Sequence, residues 1–128
     1  MSSARPAVAD ATAETLASAP FVRVVAASDG DSLAAAGILA GACEQRALPF
    51  QLRLGDEGSA TENAVTVAVG PVGVEGDVTL SRPASPAAYA AATALGAGPD
   101  PVLTLAGTLA AGERVESAPD VLEAAESA

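Results

Sequence analysis

The stretch from Phe21 to Leu54 limits the possible folds of this chain more than any other feature. Phe21 to Ala26 (FVRVVA) is β-branched and mostly apolar, which predicts a buried strand of a parallel sheet. Ala27 to Ser32 (ASDGDS) is a short, mostly polar turn. A helix follows from Leu33 to about Ala47, apolar on nearly every face until Glu44-Gln45-Arg46, and so is expected to be covered on more than one side. Pro49 to Leu54 (PFQLRL) alternates and reads as an edge-like strand. Strand, helix and strand in this compass make a βαβ unit, hence a parallel pair joined by a right-handed crossover.

The remaining segments extend that unit. Gly55 to Asn63 reads as a polar loop, Ala64 to Val69 (AVTVAV) as a third strand ended by Gly70-Pro71, and Asp77 to Leu80 as a shorter strand. Ser85 with Pro86 signals a helix start, and Gly96 its end. Asp100-Pro101 repeats the start signal for a helix to about Ala111. Upstream, Met1 to Val8 reads as a loose arm before a short helix from Asp10 to Ala19. The expected architecture is a three-layered α/β domain with a short, mainly parallel sheet ordered second–first–third strand and helices on both faces. Its parts are an N-terminal arm and helix (1–20), the α/β domain (21–112) and an acidic tail (113–128).

Charge and composition narrow the function. Sixteen Asp and Glu face six Arg, with no Lys and no His, giving a net charge of −10. Such a surface repels a phosphate backbone, so strong direct nucleic-acid binding is not expected. The excess of carboxylates, the absent Lys and the abundant Ala resemble proteins of extreme halophiles; repulsion among carboxylates is expected to weaken the fold at low salt. Aromatics are limited to Phe21, Phe50 and Tyr89, so the core rests on small side chains that each bury little area. Cys43 stands alone in an apolar run and reads as a buried, inert thiol. The longest apolar run, Leu33 to Cys43, is far short of the roughly 20 residues that span a bilayer, so a cytoplasmic protein without membrane contact is expected.

The candidate site is Asp29-Gly30-Asp31, at the carboxyl end of the first strand where ligands of open α/β sheets bind. Two carboxylates at this spacing can converge on a divalent metal. They can equally serve as an acidic cap, stabilised by the helix N-terminus without any metal; in that case exchanging both for Asn is expected to cost little stability. Arg23, Arg46, Arg53 and Arg82 could form an anion site, though scattered Arg on an acidic surface more often balances local charge.

The stretch RVVAASDGDSLAAAGILAGACEQRALPFQLRL resembles the opening motif of RecJ-like DHH-family phosphoesterases: strand, His-x-Asp-x-Asp-Gly, small-residue helix, second strand. Asp29 and Asp31 fall on its two metal-binding aspartates. Ser85 to Gly112 is similar to the family's later helical pair, which ordinarily ends in Gly-Thr-x-Ala-Asp. The resemblance covers roughly residues 20 to 112, with the RecJ-like exonucleases of halophilic archaea as the nearest group. It departs at several positions. The motif's His is Ala27, its Gly is Ser32, the third strand ends in Gly70-Pro71 instead of an Asp, and the late Asp is Ala111. No Asp-His-His signature can exist in these residues without His, and the family's C-terminal substrate-binding domain is expected to be missing.

The resemblance therefore implies a catalytically degenerate homolog, without catalytic or cofactor-binding residues. It would serve as an interaction or scaffold protein of DNA replication or repair, much as an inactive DHH subunit sits in the eukaryotic replicative helicase. Asp29 and Asp31 remain as a vestigial, weak Mn²⁺ or Mg²⁺ site. The alternative is a metal-dependent single-strand exonuclease completed by a partner chain.

Overall fold

Val22, Val24 and Ala26 project to one side of a strand and Arg23 and Val25 to the other, and all five are buried. The reason is the position of this strand, β1 (Val22–Ala26), in the interior of the sheet. The computed structural model describes residues 4–55 and 63–127. In it β1 pairs in parallel with β2 (Phe50–Leu54) on one side and β3 (Val65–Val69) on the other, and β3 pairs in parallel with β4 (Val78–Leu80). The order β2-β1-β3-β4 contains the expected 2-1-3 arrangement and adds a short fourth strand at its edge. The chain is an α/β protein with an all-parallel sheet. Most of the loop read between Gly55 and Asn63 lies outside the described residues.

Among the described residues five α-helices accompany the sheet: α1 (Ala4–Ala17), α2 (Gly30–Gln45), α3 (Ala84–Ala94), α4 (Pro101–Ala110) and α5 (Pro119–Ser127). Ala13 and Leu16 of α1, Ala35, Ile38 and Leu39 of α2, and Ala84, Ala88 and Ala92 of α3 share one apolar core with Val22, Val24, Val67 and Val69. Helices were expected on both faces; among the described residues α1, α2 and α3 gather on this one. The opposite face carries Arg23, Val25, Thr66 and Ala68, also buried. No helix among the described residues is long and apolar enough to cross a membrane.

Helix boundaries differ from the sequence reading in three places, each for a local reason. The segment read as a loose arm is already helical from Ala4, because Pro6 falls in the first turn, where its missing N–H is not needed. Helix α2 starts at Gly30, so Asp31 and Ser32 belong to its first turn. Helix α3 starts at Ala84 behind Pro83, which has no side-chain acceptor, so Ser85 lies inside the helix and does not cap it. The start of α4 is as read: Asp100 caps it, accepting from the N–H groups of Val102 and Leu103.

Small residues set how closely α4 approaches. It lies across the N-terminal turns of α2 and α3, where a Cβ at Gly107 would run into the Ser85 side chain and come within 2.8 Å of the Ala34 Cβ. At its far end, a Cβ at Gly30 would lie 2.9 Å from the Ala110 Cβ. The buried residues of α4 are accordingly Thr104, Gly107 and Thr108, while Val102, Leu103 and Leu109 face outward.

Candidate functional site

The acidic turn sits at the carboxyl end of β1, beside the carboxyl end of β3. The chain leaves β1 toward β2 on one side and leaves β3 toward β4 on the other, so this is the point where the direction of winding reverses. Backbone bonds hold the turn there: the Ala27 N–H donates to the Val69 carbonyl (3.0 Å), and the Gly55 N–H to that of Ala26 (2.9 Å).

Asp29 serves its own helix. It is the N-cap of α2, with extended backbone, and the N–H and the hydroxyl of Ser32 donate to its two carboxylate oxygens at 3.0 and 2.8 Å. These bonds, the backbone N–H first, hold its carboxyl below the usual range, with a smaller contribution from the Arg82 guanidinium. The side chain is otherwise open to solvent.

Asp31 serves a different helix. It is 1% exposed, and its carboxylate accepts from the backbone N–H groups of Ala84 (2.6 Å) and Ser85 (2.8 Å), the first turn of α3. The Ser85 hydroxyl returns a bond to the Asp31 carbonyl (3.1 Å). Since Pro83 offers α3 no cap of its own, a carboxylate 53 residues upstream supplies the acceptor. The positive ends of α2 and α3 both favour its charge.

Next to this turn the structure fills space that a ligand set would need. Gly70 closes β3 with a left-handed backbone (φ 77°). A Cβ there would overlap the Ser32 hydroxyl, approach the Ser32 Cβ to 3.2 Å and lie 3.4 Å from the Ala27 Cβ. Ser32 and Gly70 are therefore one packing unit: the Ser32 side chain occupies the room that a side chain at Gly70 would need. Ala27, Asp29, Ser32 and Gly70 all meet here. Ala111 ends α4, one residue past the Ala110 that faces Gly30.

The donor set does not fit a two-ion centre. Such a centre holds its ions about 3.5–4 Å apart with bridging and flanking ligands. Here the two aspartates turn to different helices, and among the described residues no group of three or more His, Cys, Asp or Glu gathers. The four Arg are not assembled either. Arg23 is buried within β1, Arg53 lies on the outer strand β2, and Arg46 ends α2 beside Gly96, at the opposite end from Asp29. Cys43 is buried, as read, and burial raises its thiol pKa. A separate cavity of about 540 Å³ opens between α1, α3 and α5, lined mainly by small residues together with Asp10, Tyr89 and Asp120.

The fold and the turn together define an α/β protein with a parallel sheet and a capped acidic turn at its switch point. The chain is 42% identical over 120 residues to an uncharacterized protein of the archaeon Haloarcula marismortui. That match covers 91% of this chain but 31% of the relative, so the chain spans about a third of the relative's length. No family model matches the chain.

Proposed function

We propose that this chain is a catalytically degenerate, RecJ-like DHH homolog that acts as a non-catalytic interaction protein of DNA replication or repair. The observation that carries this reading is the meeting of the motif-bearing positions at one point. Ala27, Asp29, Ser32 and Gly70 come from two strands and a helix start, yet they converge where the resemblance puts a metal centre. A surviving architecture with lost ligands is what degeneration from a metal-dependent ancestor leaves. The net charge of −10 supports a protein partner over direct contact with nucleic acid. The relative, being longer, supports a domain whose ancestors worked beside other parts.

Purified protein with Mn²⁺ or Mg²⁺ in concentrated KCl is expected to leave single-stranded DNA and RNA intact. Affinity capture at native salt is expected to recover replication or repair proteins. Exonuclease turnover that disappears in Asp29→Asn would overturn the non-catalytic reading and favour an enzyme completed by a partner. Reproducible capture of proteins with no role in DNA metabolism would overturn the proposed setting.

A further inference from the structure

We infer that the cavity between α1, α3 and α5 binds a small aliphatic diamine, with its methylene stem against the alanine walls and its two ammonium groups on Asp10 and Asp120. The first observation is the space itself. At about 540 Å³ it falls within the roughly 300–1,000 Å³ of sites that take small molecules. Its cause lies in the chain. Helix α1 packs against α3, while α5 packs against α4 and the short turn Val115–Ser117 that precedes it. Where α5 lies beside α1 and α3, the lining side chains are mostly alanines, Ala9, Ala90, Ala94 and Ala118 among them, and these are too short to fill the gap.

The second observation is what projects from those walls. Each of the three helices adds one polar group: Asp10 from α1, Tyr89 from α3 and Asp120 from α5. Among the described residues none of these three side chains has a hydrogen-bond or ion-pair partner. The remaining polar side chain of the lining, Thr93, donates its hydroxyl to the Tyr89 carbonyl in its own helix (2.9 Å). Asp120 lies in the first turn of α5, where the helix dipole favours the ionised carboxylate. The cavity thus offers two carboxylates, a phenol and alkyl walls, with no cation among the described lining residues.

Those groups select the occupant. An anion is repelled by both aspartates. A neutral apolar molecule takes water from carboxylates and phenol and returns no hydrogen bond. A bare metal ion gains nothing from alkyl walls, and among the described residues no three ligating groups gather for it. An organic cation uses every feature. Its ammonium pairs with a carboxylate and is attracted to the ring of the chain's single Tyr, and its methylene groups bury against the alanines. The carboxylates come from two different helices, so a diamine can match both charges, whereas a monoamine leaves one unmatched. A bound diamine would also tie α5 to α1.

Backbone NMR shifts during titration of the whole chain test this, at the lowest KCl at which circular dichroism shows the native fold. The probes are putrescine and cadaverine, which differ by one methylene, with n-butylamine and butanediol beside them. The better diamine is expected to bind in the millimolar range, with shifts gathered on α1, α3 and α5. It is expected to bind about fivefold tighter than n-butylamine, the worth of one further exposed ion pair. Butanediol is expected not to bind. Asp10→Asn and Asp120→Asn should each reduce the diamine to the affinity of the monoamine. Ala90→Leu, which fills the space without changing the charge, should abolish binding of both amines. The net charge of −10 attracts any cation to the surface, so Glu44→Gln, outside the cavity, serves as the comparison and should change nothing. If Ala90→Leu fails to fold, the two Asn variants decide. Equal affinity for diamine and monoamine overturns the inference, as does binding indifferent to both Asn variants. So does an equal loss in Glu44→Gln, which would mark a general attraction to an acidic surface.

Discussion

Asp31→Ala is expected to destabilise the fold by about 3 kcal/mol or more, a large share of the roughly 5–15 kcal/mol available to a domain of this kind. The change removes a buried carboxylate and strands the Ala84 and Ser85 N–H groups at the start of α3. Each charge-assisted bond of this type contributes about 1.5–3 kcal/mol, and a buried donor left without an acceptor adds its own penalty. Asp31→Asn is expected to fall between. Its single carbonyl oxygen can take one N–H, while its NH₂ faces the other donor. Asp29→Asn should cost well under about 1 kcal/mol, since Asn caps a helix about as well as Asp and the site is open to solvent. Denaturant unfolding at fixed KCl reads all three. This corrects the sequence-based expectation that exchanging both aspartates for Asn would cost little: the cost is expected to lie almost wholly at Asp31. Equal, small losses at both positions would contradict the assignment of Asp31 to α3.

Restoring the carboxylate that the resemblance expects at the end of β3 should damage the protein. Gly70→Asp must hold a side chain at φ 77° and overlap the Ser32 hydroxyl. A left-handed non-glycine residue costs about 1–2 kcal/mol, and overpacking typically another 1–3, so a loss of about 3 kcal/mol is expected. Ser32→Gly alone should also destabilise, because it removes the hydroxyl bonded to Asp29 and puts Gly in a first helical turn. The double change Ser32→Gly with Gly70→Asp is expected to lose less than the sum of the two, by at least about 1 kcal/mol, since the overlap is gone. Simple additivity in that cycle would mean that the two positions are not one packing event.

Much of the fold could be read from residue patterns because the relevant signals are local. The β-branched runs at 22–26 and 65–69 announce buried parallel strands, and the Asp100-Pro101 pair fixes the start of α4. What the sequence hid is long-range or depends on small residues. Ser85 carries every local mark of an N-cap, yet Pro83 moves the start of α3 and the acceptor comes from Asp31, far upstream. Helix α1 is so rich in Ala and Thr that no apolar face stands out, so only its packing through Ala13 and Leu16 shows that it belongs to the core. The face covered by the helices was legible in part: Arg23, Gln51, Arg53 and Thr66 alternate onto one side of the sheet, and α1, α2 and α3 cover the apolar side opposite them.

The site was half legible. Asp29 and Asp31 were found from their spacing and their place after a strand, and both the metal-binding and the capping reading fit that spacing. The choice depends on where each carboxylate points, which is a matter of tertiary contact. Gly70 reads in the sequence as a missing ligand and Ser32 as a motif error. Only their contact makes them a matched pair, and a serine arriving where a glycine is expected, with a glycine where a carboxylate is expected, is the signal that could have raised the question.

The two aspartates of the turn act as helix-capping groups, so neither is expected to anchor a tight metal site. Calorimetric titration of the folded chain with Mn²⁺, at fixed ionic strength in concentrated KCl, tests it most directly. No binding tighter than the millimolar range is expected, comparable to the weakest oxygen-ligand sites, and no change in the isotherm on Asp29→Asn, which preserves the cap. A micromolar Mn²⁺ site that Asp29→Asn abolishes would contradict it.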